Sequence, residues 1–197
     1  MNDYLVWIDC EMTGLSLEKD ALIEISALVT DSDLNILGEG VDVIIKPPQE
    51  ALDQMGDFVT QMHTNSGLLP LLADGTTIED AQNQVLEYIK EYVSEPGKVP
   101  LAGNSVGTDR TFLARDMPEL EEFLHYRNVD VSSIKELARR WYPRVYFNAP
   151  EKTGNHRALG DIIDSVNELK YYRLALFPAE PGPTSEELKE IAEKVLE

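Results

Sequence analysis

Asp9 and Glu11 are acidic residues that follow an apolar run near the start of the chain, in the segment WIDCEM. Side chains two positions apart on a β-strand project from the same face, so the two carboxylates would lie together. Such a pair is costly unless a cation neutralises it, and Mg²⁺ binds a few carboxylate oxygens while keeping waters or substrate phosphate. The pair therefore predicts a divalent metal site, although two solvated acids at a strand end would have the same spacing.

Asp109 is a third candidate ligand. It follows the segment GNSVGT and should fall in the first turn of a helix. An acidic side chain is stabilised there by the helix dipole whether or not it has another role. The strand predicted at 99–102 would nevertheless bring Asp109 to one edge of the same sheet.

His156 and Asp161 form the pattern His-x-Ala-Leu-x-Asp. The histidine ends a polar loop and Asp161 lies early in the helix that follows, so the loop would hold the imidazole over a site into which the helix points its carboxylate. A lone loop histidine is usually a solvated side chain. Beside a cluster of carboxylates it becomes a candidate general base, because its pKa lies close to neutral pH.

The strands and helices that must position these residues follow from the pattern of apolar side chains. β-rich runs at 4–8, 22–30 and 41–45, separated by turn signals at Gly14 and 31–35, predict an antiparallel meander. Further short strands are predicted at 99–102 and 129–131, between helices at 76–93, 108–117, 133–142 and 158–176. Strands interleaved with helices in this way indicate an α/β fold, with helices packed on a mixed sheet.

The chain has the length of one domain, or of one domain with a terminal appendage. Three prolines within 178–183 predict a linker, and Thr184 with Glu187 forms a capping box for a short amphipathic helix. We therefore predict a main domain over 1–177 and a linker with a C-terminal helix over 178–197.

The charge of the chain restricts its possible nucleic-acid partners. Its 36 acidic and 17 basic residues give a net charge of -19, whereas proteins that bind long nucleic acids usually carry a basic patch. An acidic surface of this kind often serves solubility alone. If the substrate is nucleic acid, metal ions must bind most of its phosphate and the substrate should be short.

The cellular compartment is predicted from the cysteine content and from the first residues. Cys10 is the single cysteine, which favours a reducing compartment. The segment MNDYLVWID has no basic region and only a five-residue apolar run, too short for a signal peptide or a membrane span. We expect a cytoplasmic protein that does not associate with membranes.

In order and spacing, the four acids and the histidine resemble the signature of the DEDD exonucleases, in the subgroup that contains the histidine. The resemblance implies a ribonuclease H-like exonuclease fold, with a mixed five-stranded sheet flanked by helices. It also implies that Asp9, Glu11, Asp109 and Asp161 hold two divalent cations, Mg²⁺ or Mn²⁺, and that His156 is the general base. Two cations about 3.5–4 Å apart activate a water and stabilise the leaving oxygen of a phosphodiester.

Longer segments are similar to one family, the oligoribonucleases, over residues 4–177. They are WIDCEMTGL, KPP, MHTNSGL, PLAGNSVGTDRTFL, HYRNVDVSSIKELARRWYP and HRALGDI. The family implies a homodimer that degrades short RNA, especially dinucleotides, from the 3′ end to mononucleotide 5′-phosphates.

The same resemblance implies residues that hold the bases of the substrate. Leu15 would lie between the two bases, Phe58 would stack on one of them, and Tyr126 would reach in from the partner subunit. Phe58 stands where the family is expected to have a tryptophan, which keeps a stacking face but reduces its area. Without the resemblance, ordinary packing would explain these three side chains as well.

A site for the 5′-phosphate is implied in the same way. Ser105, Arg127 and Ser132, with His63 nearby, would receive this phosphate and so close the site to longer chains. Taken alone, Arg127 is more typical of a surface ion pair. Gly160 replaces a second acid that the family often has beside Asp161, which leaves Asp161 as the candidate ligand at that position.

Three functions compete. The first is an oligoribonuclease. The second is an exonuclease for longer substrates, such as a proofreading domain or a tRNA-trimming enzyme, against which the acidic composition and the implied phosphate site argue. The third is a non-catalytic, acidic interaction domain, which would be expected to have lost at least one of the five site residues, and none of them is missing.

Overall fold

The computed structural model describes residues 3–152 and 157–196, and these form a five-stranded sheet in the order β3-β2-β1-β4-β5. β1, β2 and β3 form an antiparallel meander, while β4 pairs in parallel with both β1 and β5. The strands are β1 Leu5–Met12, β2 Leu22–Thr30, β3 Ile36–Ile44, β4 Pro100–Gly103 and β5 His125–Asp130. The predicted meander and the mixed α/β sheet are confirmed.

The bounds of two of the first three strands differ from the prediction. β2 has the predicted bounds, but β1 continues to Met12 and β3 begins at Ile36. β1 was predicted too short because acidic side chains interrupt its apolar run. Asp9 and Glu11 therefore lie within a strand that pairs with β2 along its whole length.

The helices of the described residues include several that the sequence pattern did not predict. They are α1 Gln49–Asp53, α2 Asp57–Asn65, a 3-10 helix Leu69–Asp74, α3 Ile78–Lys90, α4 Gly107–Asp116, α5 Pro118–Phe123, α6 Val131–Trp141, α7 Pro143–Phe147, α8 Ala158–Leu176 and α9 Ser185–Leu196. The elements that were not predicted are α1, α2, the 3-10 helix, α5 and α7. They are short, and an apolar period of 3.6 residues is difficult to recognise over so few turns.

Two predicted helix starts require correction. α3 begins at Ile78, where the hydroxyl of Thr77 accepts a hydrogen bond from the Asp80 amide. α6 begins at Val131, where the Asp130 carboxylate accepts from the Ser133 amide. In both helices an Asp or Thr immediately before the first turn satisfies an otherwise unpaired backbone N–H group, which fixes the start of the helix.

The two faces of the sheet bury different helices. Val6, Ile8 and Cys10 of β1 point to one face, which packs with buried side chains of α3, α4 and α5. Trp7 points to the other face, where it packs with residues of α6 and α8 such as Ile162. Because side chains alternate along a strand, Asp9 and Glu11 continue the Trp7 face and point toward α8.

α9 follows the proline-rich segment and buries none of its residues. As predicted, Thr184 and Glu187 form a capping box at its start, with reciprocal hydrogen bonds between side chains and backbone amides. Among the described helices, none has the length and apolar composition needed to cross a membrane.

Candidate active site

Three carboxylates meet where α8 crosses β1. Asp9 and Glu11 project from the same face of β1, and Asp161 lies in the first turn of α8. One carboxylate oxygen from each residue lies within 4.8 Å of those of the other two. The convergence that the sequence pattern predicted for these residues is therefore observed.

Asp109 lies beside this group, in the first turn of α4 as predicted. Its Oδ1 accepts a hydrogen bond of 3.1 Å from the Cys10 amide. β4 ends at Gly103, and the Asp109 side chain accepts from a β1 amide beyond that end. A Cβ atom at Gly103 would lie 3.2 Å from the Ile8 carbonyl oxygen, and its φ of +153° favours glycine, so this close turn depends on Gly103.

Mutual repulsion and burial disfavour the charged forms of these acids. Burial first, and then the charges of Asp109 and Glu11, raise the pKa of Asp9 well above its usual value. Burial and the charge of Glu24 raise the pKa of Glu11 to about 8. Burial raises the pKa of Asp109 to about 6, although the hydrogen bond from the Cys10 amide lowers it. A divalent cation would relieve this repulsion.

The donor set fits such a cation. Carboxylate oxygens are the ligands that Mg²⁺ and Mn²⁺ prefer, and burial of several acids without a cation is costly. The acids come from β1, α4 and α8, so the tertiary structure brings together residues that are far apart in sequence. His156, the predicted general base, lies outside the described residues.

Glu24 supports this arrangement from β2. Its side chain is fully buried, and its carboxylate accepts hydrogen bonds from the Arg157 Nε at 2.7 Å and from the Ala158 amide at 3.1 Å. Arg157 also reaches Asp42 on β3, at 3.2 Å. These contacts fix the start of α8 on the sheet, and therefore position Asp161.

Leu15 lies in the turn that follows β1, with 76% of its surface exposed. The carboxylate of Asp20 organises this turn by accepting from the Thr13 hydroxyl at 3.0 Å and from the Ser16 amide at 2.8 Å. A Cβ atom at Gly14 would lie 2.5 Å from Asp20 Oδ2, so a larger residue there would displace this carboxylate. The turn therefore presents an apolar side chain to solvent close to the end of β1.

α2 carries Phe58 and His63 on different sides. Phe58 is 80% exposed, whereas His63 is fully buried. The Nε2 of His63 is 2.9 Å from the Met12 carbonyl oxygen, and its Nδ1 is 3.9 Å from Glu11 Oε2. In this conformation His63 attaches α2 to the end of β1, and no surface of its ring is open to a phosphate.

Of the residues predicted to bind the 5′-phosphate, Ser105 and Ser132 lie just beyond the carboxyl ends of β4 and β5, and Arg127 lies within β5. The Ser105 hydroxyl donates to the Ser132 hydroxyl at 3.0 Å. Ser105 has a φ of +56°, uncommon for a residue other than glycine, and its amide donates to Asp130 at 2.7 Å. Arg127 is exposed, and its guanidinium lies 5.5 Å from the ring centroid of Tyr126.

Some residues that organise the site were not singled out from the sequence. Glu24 is the one acid within the apolar run LIEISALVT, which was a visible signal of a buried charge that needs a partner. Asp20, which organises the turn that carries Leu15, gave no comparable signal. Its importance depends on contacts that only the folded chain creates.

Comparisons with known proteins agree with this geometry. An exonuclease family model (RNase_T) matches residues 6–169. An oligoribonuclease of Streptomyces griseus is 69% identical over 195 residues, which are 99% of this chain and 97% of the relative. An oligoribonuclease of Cutibacterium acnes is 64% identical over 190 residues, which are 96% of this chain and 94% of the relative.

Solved structures of exonuclease I share the fold. A zinc-bound complex of E. coli exonuclease I with single-stranded DNA has a TM-score of 0.68 and 15% identity over 89% of this chain. Exonuclease I from Methylocaldum szegediense has a TM-score of 0.61 and 19% identity over 88% of this chain. This chain spans 41% of each of those chains. The likeness concerns the fold and confirms the predicted exonuclease fold class.

Proposed function

The chain belongs to the oligoribonuclease family of exonucleases, and from this premise we propose that it is a 3′→5′ exoribonuclease for short oligoribonucleotides. Dinucleotides are its main substrates, and mononucleotide 5′-phosphates are its products. The observation that carries this proposal is the convergence of Asp9, Glu11 and Asp161 within 4.8 Å, with Asp109 beside them.

The four acids would hold two divalent cations, Mg²⁺ or Mn²⁺. When bound, such cations supply an activated water and stabilise the charge that develops on the phosphate and on the leaving oxygen. β1 fixes the spacing of Asp9 and Glu11, while the Glu24–Arg157 contact positions α8 and with it Asp161.

His156 would act as the general base. In the proposed step, its imidazole takes a proton from the attacking water as the new oxygen–phosphorus bond forms. The bond from phosphorus to the 3′ oxygen of the preceding nucleotide breaks, and that oxygen leaves. A pKa near neutral suits histidine to this transfer.

The exposed side chains would hold the substrate. Leu15 would lie between the two bases and Phe58 would stack on one, and their high exposure leaves both side chains open to such contacts. The protein would form a homodimer in which Tyr126, itself 74% exposed, enters the site of the other subunit.

Ser105, Ser132 and Arg127 would receive the 5′-phosphate. The adjacent serine hydroxyls and the exposed guanidinium support this role. His63 was predicted to lie near this phosphate; that role would need a change from its buried position against Met12. His63 supports the Glu11 strand in the conformation described above.

A preference for short substrates agrees with the charge of the protein. A net charge of -19 disfavours long polyanions, whose binding depends on many phosphate contacts. This separates the proposal from an exonuclease that trims or proofreads long chains. A non-catalytic interaction domain is disfavoured because Asp9, Glu11 and Asp161 converge in an arrangement that could hold a metal ion.

Two broader proposals concern the cellular compartment of the enzyme and its domain boundaries. We place it in the cytoplasm, with which its single, buried cysteine is compatible. Residues 1–177 would form the exonuclease domain, and 178–197 a linker and helix outside it. The absence of buried residues in α9 supports this division.

A competition experiment tests the proposed function. Labelled RNA two-mers and ten-mers, mixed at equal concentration with Mn²⁺, should be consumed at very different rates, with the two-mer ahead. Equal rates would refute the length preference and leave the exonuclease activity standing. No turnover of either RNA, at any metal concentration, would refute the function itself.

A further inference from the structure

Glu168 is a buried carboxylate on the side of α8 that faces β4, and it lies outside the group of metal-ligand candidates. It is 4% exposed. The Nζ of Lys135 lies 3.2 Å from its Oε1, and the Nζ of Lys152 lies 3.1 Å from its Oε2. A carboxylate so placed stays ionised, and it therefore offers only hydrogen-bond acceptors.

Asn104 connects this carboxylate to the serine pair. Its Nδ2 donates to Glu168 Oε2 at 3.2 Å and to the Ser165 hydroxyl at 2.7 Å. The Ser165 hydroxyl in turn donates to the Asp161 carbonyl at 2.8 Å, so its lone pairs face Asn104. Two acceptors therefore surround the amide nitrogen and determine which way the Asn104 side chain is turned.

The orientation of Asn104 determines the direction of the next hydrogen bonds. With its nitrogen held by Glu168, its Oδ1 must accept, and the Ser132 hydroxyl donates to it at 3.0 Å. Ser132 then presents lone pairs to Ser105, whose hydroxyl donates to it at 3.0 Å. The Glu168 carboxylate, which is 64 positions away from Asn104 in the sequence, thus imposes one direction on the series of hydrogen bonds from Asn104 through Ser132 to Ser105.

We infer that Glu168 is a positioning residue, which through Asn104 orients the Ser105 and Ser132 hydroxyls that receive the 5′-phosphate. This inference rests on the proposed function. Because Ser132 donates to Asn104, the Ser105 proton is the one that can turn from its neighbour to the phosphate. Glutamine in place of Glu168 can present either an oxygen or an NH₂ group, so only the Ser165 hydroxyl, which can itself rotate, remains to hold the Asn104 nitrogen.

The test compares a dinucleotide with a 5′-phosphate and the same dinucleotide with a 5′-hydroxyl. The measured quantity is the ratio of the two kcat/KM values, which a general loss of stability would not change. Glu168→Gln should reduce this ratio about tenfold, the size expected when a hydrogen bond to a charged group is lost. In a Ser105→Ala background, Glu168→Gln should cause no further reduction.

Tyr172→Phe is the matched control. The Tyr172 hydroxyl donates to Glu168 Oε1 at 3.3 Å, whereas Asn104 contacts Oε2. This variant perturbs the same carboxylate but leaves the contact to Asn104, so it should keep the wild-type ratio. If Glu168→Gln does not fold, Asn104→Ala takes its place, since it breaks the series while the two lysine contacts remain.

The outcomes separate this inference from the function on which it rests. An unchanged ratio in Glu168→Gln, or an equal reduction in Tyr172→Phe, would overturn the inference. A wild-type enzyme that hydrolyses both dinucleotides equally well would also overturn it, while the exonuclease function would stand. A wild-type protein that hydrolyses neither would overturn both.

Discussion

Glu11 on β1 and Glu24 on β2 occupy directly opposed positions in the antiparallel register. The Glu24 carboxylate is bound by Arg157, whereas Glu11 faces Asp9 and Asp161. The charge of Glu24 is the largest contribution after burial to the raised pKa of Glu11. The protein thus neutralises one acid of the opposed pair with its own cation, whereas the other would be neutralised by the proposed metal.

This relationship predicts that Arg157→Met destabilises the protein. The substitution keeps an unbranched side chain but leaves the buried Glu24 without its cation. We expect a loss of about 2 to 3 kcal/mol in the free energy of unfolding, because an uncompensated charge remains in the interior. Urea denaturation followed by circular dichroism measures this loss.

Arg139→Met is the control for that prediction. Arg139 pairs with Glu136 on α6, and about half of each side chain is exposed. Such pairs contribute at most about 0.5 kcal/mol. Equal losses in the two variants would mean that the contact between Arg157 and Glu24 has no special role.

Asp9→Asn should stabilise the metal-free protein while it abolishes activity. Burial and the neighbouring acids raise the pKa of Asp9, so a neutral side chain relieves repulsion of about 1 kcal/mol. In buffer with chelator, the variant should have a Tm about 2 to 4 °C above that of the wild type. Differential scanning fluorimetry measures this difference.

Addition of Mn²⁺ tests whether Asp9→Asn stabilises the protein because it changes one of the metal ligands. Mn²⁺ should raise the Tm of the wild type and restore the turnover lost in chelator, but it should do neither in Asp9→Asn. Asp109→Ala should likewise lose turnover and metal binding. Normal turnover in either variant would contradict the assignment of these acids as ligands.

Leu15→Ala and Phe58→Ala should weaken substrate binding without destabilising the fold. Both side chains are at least three-quarters exposed, so their removal should change stability by less than about 0.5 kcal/mol. Loss of a contact to a base should raise the KM for a dinucleotide about fivefold or more. Steady-state kinetics and thermal denaturation are measured together.

Leu188→Ala serves as the control for these two variants. Leu188 is exposed on α9, outside the residues that match the exonuclease family. Its KM should equal that of the wild type. An unchanged KM in Leu15→Ala and Phe58→Ala would place the bases elsewhere on the surface.

Glu168→Gln should change the pH dependence of stability. Burial alone raises the pKa of Glu168, but hydrogen bonds and charges from Lys152 and Lys135 outweigh it and bring the pKa below its ordinary value near 4.5. The stabilisation from ionised Glu168 is therefore complete above that ordinary value and is lost as the pH falls through the lower, folded-state pKa.

At pH 7 the free energy of unfolding of the wild type should accordingly be about 2 kcal/mol larger than that of Glu168→Gln. The difference should narrow as the pH falls below 4.5. Urea denaturation of both proteins at pH 7, 5 and 4 measures it. A constant difference at all three pH values would show that Glu168 does not stabilise the fold as an ion.

A shared active site predicts complementation between two inactive variants. Asp9→Ala removes a ligand from its own site, whereas Tyr126→Ala removes a side chain that would enter the site of the other subunit. After the two are mixed and the subunits exchange, a hybrid dimer contains one complete site, so activity should reappear. Exchange confirmed by mass spectrometry without any gain in activity would show that each site is complete within one subunit.

Patterns among neighbouring residues were enough to predict the five strands, most of the longer helices and the candidates for chemistry. The alternation of apolar residues predicted the bounds of β2, and the bounds predicted for α8 also agree with the structure. The spacing of Asp9 and Glu11 placed both carboxylates on one face, because side chains two positions apart share a face of a strand. These properties depend on neighbours in sequence, which is why they were predictable.

The tertiary structure decided which acid is neutralised and which hydroxyls are oriented. Glu24 and Arg157 are 133 positions apart, and they meet because β2 lies beside β1 and α8 packs across both. The same packing brings Glu168 to Asn104. No periodicity encodes such contacts, since they depend on the order of the strands and on how the helices pack against the sheet.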